Sequence, residues 1–122
     1  MNSLDKAMEL KRRTKSFAIR IVNLFRSLPH SPAAQTLGEQ LLRSGTSVAA
    51  NYRAVCRARS QAEFIVRMGI VVEEADESVL WLEPLGETGV VRQERTQDLL
   101  NEANELVRIF GASLRASKHA VK

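Results

Sequence analysis

The chain holds one cysteine, two histidines, three prolines and, among its aromatics, four Phe, one Tyr and one Trp in 122 residues. The lone Cys56 excludes an internal disulfide and accords with a reducing cytoplasm. Cys56 has no histidine or second thiol near it in sequence, and His30 and His119 fall in a turn and a tail. A zinc set and a Cys–His nucleophile pair are thereby excluded. An aromatic content of 5% is low for a sandwich or barrel and suits helices packed through Leu, Val, Ile and Ala. No apolar run approaches the roughly 18 residues that a membrane span needs. The first residues, MNSLDKAMELKRRTK, lack the apolar stretch of a secretory signal. No phosphate-cradling glycine loop, internal repeat or low-complexity tract is present, and alternation of period two never persists. The expectation is one cytoplasmic domain over residues 1–122, with no catalytic residue, metal or cofactor and no membrane contact.

Charge is what the chain has in excess, and it is unevenly placed. Residues 1–59 carry 11 Lys/Arg against Asp5, Glu9 and Glu39, a balance of +8. Residues 60–122 carry seven Lys/Arg against 11 Asp/Glu, a balance of −4. A basic half attracts phosphate backbones through counterion release, and it equally suits the acidic half of a neighbouring subunit.

Apolar periodicity predicts four helices, over about 4–28, 32–55, 61–85 and 91–116, in an all-α antiparallel up-down bundle. In helix one the core row is Leu4, Met8, Phe17, Ile21, Leu24, Phe25 and Leu28. Ser31-Pro32 is a cap followed by the proline that best suits a first helical position. Ser60-Gln61-Ala62-Glu63 is a capping box that starts helix three. Helix three then buries Phe64, Met68, Val71, Val72, Ala75, Val79, Leu82 and Leu85, and helix four Leu99, Ala103, Leu106, Phe110 and Leu114. Gly86 to Gly89 is a turn, and the tail from Lys118 frays. Gly38 and Gly45 inside helix two each cost roughly 1 kcal/mol against Ala, which the close approach of another helix would offset.

Helix two is the most informative segment. Gln40, Ser44, Ser47 and Asn51 share one face, beside an apolar row of Leu37, Leu41, Val48 and Tyr52. Such a pair of faces implies two packing partners and a polar seam that fixes register or a subunit interface. Glu73 and Glu77 on the acidic third helix and Trp81 at its end are placed in the same seam or interface. Arg43, Arg53, Arg57 and Arg59, with Tyr52 among them, form the leading candidate contact for nucleic-acid phosphates, joined by Lys11, Arg12 and Arg13 from a patch on helix one that also includes Lys15. Two readings compete with this. The basic face is also suited to docking a protein partner. Glu73, Glu77, Glu102 and Glu105 on two antiparallel helices are the kind of oxygen set that holds magnesium in all-α nucleotide hydrolases.

The stretch QLLRSGTSVAANYRAVCRARSQAEFIVRMGIVVEEADESVLWLEPL, residues 40–85, resembles the four-helix bundle family related to the protein encoded in intervening sequences of large-subunit ribosomal RNA genes. The resemblance is carried by Gln40, Arg43-Ser44, Ser47, Asn51, Ser60, Glu63-Phe64, the acidic stretch ending in Glu77, and Trp81-Leu82-Glu83. In place of the Asn-x-x-Glu-Gly step of many relatives stands Asn51-Tyr52-Arg53-Ala54. The resemblance implies a homo-oligomer, a ring of five bundles, without enzymatic activity. It extends to the accessory variability determinant of diversity-generating retroelements, which implies RNA or DNA, or a reverse transcriptase, as partner. The combined expectation is a non-catalytic oligomer that binds nucleic-acid backbones by many weak contacts.

Overall fold

The computed structural model describes residues 2–120 and consists of four helices: α1 Ser3–Arg26, α2 Pro32–Cys56, α3 Gln61–Glu87 and α4 Gln93–Ala120. Each start is set by local chemistry. Asn2 accepts from the Asp5 amide at 2.8 Å, Ser31 from Ala34 at 3.2 Å with Pro32 next to it, and Ser60 from Glu63 at 3.0 Å. The Glu63 carboxylate reaches back to accept from the Arg59 amide at 3.2 Å, one residue before the cap. That bond, with the Arg59 and Arg67 charges, holds the Glu63 carboxyl below its ordinary value. Because the folded pKa is depressed, its contribution is complete above the unfolded value and is lost as pH falls through the carboxylate range. Protection of the Arg59 amide, taken relative to its intrinsic exchange rate at each pH, is therefore expected to fall as pH drops through the carboxylate range in the native chain and to be absent throughout in Glu63→Ala. Equal protection in the two proteins would contradict this role.

α3 runs two residues beyond the expected end. Pro84 lies in its last turns, Thr88 caps the Pro84 carbonyl, and Gly89, at φ 79°, makes the left-handed reversal towards α4. α4 continues to Ala120, so Lys118–Ala120 are helical where fraying was expected, and Val121 and Lys122 lie outside the described residues.

The helices pack in sequence, α1 on α2, α2 on α3 and α3 on α4, with a much thinner contact between α1 and α4. Gly38 lies against Phe25 and Leu28, Gly45 against Ile21, and Gly86 against Gln93 and Thr96. Side-chain bonds tie Gln61 to Ser117 and Arg95 to Ser27. A four-helix bundle results, its core built on Phe17, Ile21, Leu41, Val48, Val71, Leu82, Leu85, Leu106 and Phe110. The two glycines of α2 do mark a close approach. A Cβ at Gly45 would lie 2.9 Å from Ile21 Cγ1.

Three differences from the periodic reading matter. Leu4 and Met8 are 69% and 61% exposed, because α1 contacts α4 only sparsely. Thr14 and Ser78 are buried, each donating to the carbonyl one turn back in its own helix, which satisfies the hydroxyl without a partner helix. Ser44 and Ser78 are both fully buried with their Oγ atoms 3.0 Å apart. Each hydroxyl also has a carbonyl of its own helix within reach, Glu74 O at 2.9 Å from Ser78 and Leu41 O at 3.3 Å from Ser44, so one serine donates across the pair while the other donates to its own helix. Ser78→Ala and Ser44→Ala are each expected to cost about 1–2 kcal/mol, and the double variant less than the two summed, because no hydroxyl is then left without its cross-helix partner. Denaturant unfolding of the four proteins measures this, and strict additivity would contradict the pairing.

Candidate nucleic-acid interface

The structure sorts the candidate cations into two kinds. Arg13 projects from α1 onto α4, with Nε 3.1 Å and Nη2 2.7 Å from the two Glu102 oxygens and Nη2 3.2 Å from Glu105. Both Arg13 and Glu102 are mostly shielded, and hydrogen bonding to Glu102 strengthens the hold of the guanidinium on its proton. Arg43 sits mid-helix rather than at the α2–α3 junction. It reaches across to α3, 3.0 Å from Glu74 and 2.7 Å from Glu77. Arg59 and Arg67 share Glu63 at 3.6 and 3.7 Å, and Arg12 pairs with Glu9. Arg13 and Arg43 thus each tie two helices together; Arg13 is drawn in against α4, while Arg43 stays exposed with its charge engaged by Glu74 and Glu77.

Lys11, Arg53 and Arg57 are different. They are exposed, and none has an acidic partner within salt-bridge distance among the described residues. With Lys15 they line one shallow concavity between α1 and α2, floored by Ala49, Ala50 and Ala54. Lys11 and Lys15 are one turn apart on α1, and Arg53 and Arg57 one turn apart on α2, so each pair spans about 6 Å along its helix. Two patches separate in sequence become one surface because α1 and α2 pack against each other. Lys15 is the member that ranking by sequence cluster underweights. Its four-residue step from Lys11 is the signal that finds it. Short alanine side chains between two cation rows let a polyanion backbone come close.

The polar face of α2 does not form one continuous seam. Ser44 is buried against Ser78, Ser47 and Asn51 are half-buried, and Gln40 is exposed. Asn51 donates to the Ser47 carbonyl of its own helix at 2.9 Å. Glu73 is exposed, Glu77 is half-buried on Arg43, and Trp81 is half-buried against the core with its indole N–H unpartnered. Tyr52 is buried and tilted against Phe110, ring centroids 5.1 Å apart, so it does not offer a face for base stacking. Burial, with the Cys56 thiol beside it, raises the Tyr52 pKa well above the ordinary phenol range and keeps it neutral.

The four carboxylates weighed for magnesium are not brought together. Glu77 turns to Arg43 of α2, Glu102 and Glu105 turn to Arg13 of α1, and Glu73 faces solvent. Among the described residues no group of three or more His, Cys, Asp or Glu is placed to hold a metal ion, and no described helix is long and apolar enough to cross a membrane.

Fold and surface together define an all-α four-helix bundle with a basic concavity on the α1–α2 face. The chain belongs to the 23S rRNA-intervening sequence protein family, whose sequence model matches residues 6–112. It is similar to a solved structure from Bacteroides thetaiotaomicron VPI-5482, a protein of unknown function from the S23 ribosomal protein family. The two are 34% identical, with 86% of this chain and 97% of that chain covered and a TM-score of 0.80. No curated protein matches the chain.

Proposed function

We propose that the protein is a non-catalytic, homo-oligomeric accessory protein of the cytoplasm that binds RNA or DNA through the phosphate backbone. The observation that carries this is the concavity in which Lys11, Lys15, Arg53 and Arg57 converge without an acidic side chain in the lining. Exposed Arg59 and Arg12 extend the basic field, although each shares an acid with its own helix or cap. One such patch is weak. Repeated around the axis of a ring of five protomers, as the family resemblance suggests, it gains affinity by multivalency without any further contact.

Recognition of this kind reads charge and not sequence, because no base-stacking aromatic accompanies the cations. Binding to a mixed-sequence single-stranded RNA and to duplex DNA at about 50 mM salt tests the reading, alongside light scattering for the subunit number. Salt-sensitive, sequence-tolerant binding by an oligomer is expected. No detectable binding to either nucleic acid overturns it, and the basic face is then assigned to a protein partner.

A further inference from the structure

A second concavity lies at the open end of the bundle, and it is apolar. Two adjoining cavities, of about 550 and 410 Å³, meet there at Ala7, Tyr52 and Phe64. Met8 lines the outer one and Met68 the inner one, and the inner floor reaches Phe110. Each volume falls within the range of small-molecule sites, which combine apolar walls with a few polar groups.

Two independent observations point to a ligand and to its chemistry. Leu4 and Met8, at the rim, are the two most exposed large apolar residues of α1, and both add apolar surface beside an already apolar pocket. The charged side chains that line the two cavities are all cations: Lys11 and Arg59 on the outer one and Lys6 on the inner one. Tyr52 is buried, borders both cavities and keeps its hydroxyl against the Cys56 thiol, so it closes the apolar wall without offering a free polar group. An apolar body with a negatively charged head matches both. A nucleic acid matches only the charge, and a neutral hydrocarbon only the walls.

We propose that this end of the bundle binds a small amphipathic anion, of which a medium-chain carboxylate is the simplest representative. The chain lies along Ala7, Phe64 and Met68, and the head meets Lys11 and Arg59 at the rim. The site is separate from the nucleic-acid reading except at Lys11, which borders both surfaces.

Sodium dodecanoate, titrated as monomer against the full chain, is the probe. The methyl resonances of Met8 and Met68 report the two cavities separately, and dodecyltrimethylammonium is the control of equal tail and opposite charge. Saturable shifts of both methyls below about 1 mM dodecanoate are expected, with at least a tenfold weaker response to the cationic control. Ala7→Trp fills the junction from the uncrowded first turns of α1, so it keeps the fold and abolishes the shifts. Lys11→Gln, chosen in case Ala7→Trp perturbs α1, weakens binding about tenfold while circular dichroism stays unchanged. No saturable shift, an equal response to the cation, or shifts that persist in Ala7→Trp would each overturn the proposal. So would methyl shifts that follow protein concentration and not dodecanoate, because a second copy would then occupy the groove.

Discussion

Gly45→Leu is expected to destabilise the protein by about 3 kcal/mol, the upper part of the usual cost of overpacking a core. Even the first added carbon, Cβ, would lie 2.9 Å from Ile21 Cγ1, 3.1 Å from Cγ2 and 3.3 Å from Cβ. Ile21 is fully buried and β-branched, so it has neither free space nor a spare rotamer to swing into. The remaining response is for α1 to move away from α2, which loosens packing along the whole pair. Thermal unfolding should show a fall of about 10 °C or more for a chain of this size. Gly45→Ala sets helix propensity, worth about 1 kcal/mol in its favour, against the same contact and should end slightly destabilised. Gly69 is the control. A Cβ there meets nothing within 4 Å, so Gly69→Ala should stabilise by up to about 1 kcal/mol. Shrinking the neighbour, in Gly45→Leu/Ile21→Ala, should recover part of the loss. A Gly45→Leu protein with unchanged unfolding would contradict the close α1–α2 approach.

Reversing Arg53 and Arg57 together to Glu should lower affinity for nucleic acid more than 100-fold at about 50 mM salt, since each lost phosphate contact forfeits roughly a decade there and the new acids repel. Both side chains are exposed and outside any ion pair among the described residues, so their reversal should leave the fold intact. Arg43→Glu makes the opposite case. It sets a carboxylate against Glu74 and Glu77, so its main effect should be on stability, with affinity per folded protein little changed. Electrophoretic mobility shift and denaturant unfolding on the same preparations separate the two effects. If Arg43→Glu abolished binding in a fully folded protein while Arg53→Glu/Arg57→Glu retained it, the assignment of clamp and contact would have to be exchanged.

What could be read from the sequence was local. Ser31-Pro32 and Ser60 to Glu63 announced helix starts because a cap is built from residues within one turn. Gly38 and Gly45, seven residues apart, announced a close neighbour because nothing else offsets their helical cost. The family motifs, which lie between Gln40 and Glu83, agreed. What could not be read was which charges find one another. Arg13 and Glu102 are 89 positions apart, and no periodicity distinguishes that arginine from Lys11 two residues earlier. Periodicity also shows which face of α1 is apolar but not how far a partner helix covers it, so Leu4 and Met8 belonged to the core on paper and stand exposed in the fold. Ser78 escaped because a buried hydroxyl that bonds its own helix carries no sequence signal. The end of α4 escaped because no glycine or proline marks it.

The basic concavity as a backbone-binding surface is the claim on which the functional account rests, and the salt dependence of affinity tests it most directly. For single-stranded RNA, four phosphate contacts per protomer predict a slope of log K against log salt of about −3 for each protomer engaged, reduced by about half in Arg53→Glu/Arg57→Glu. A slope near zero, or one that the double reversal leaves unchanged, would contradict it.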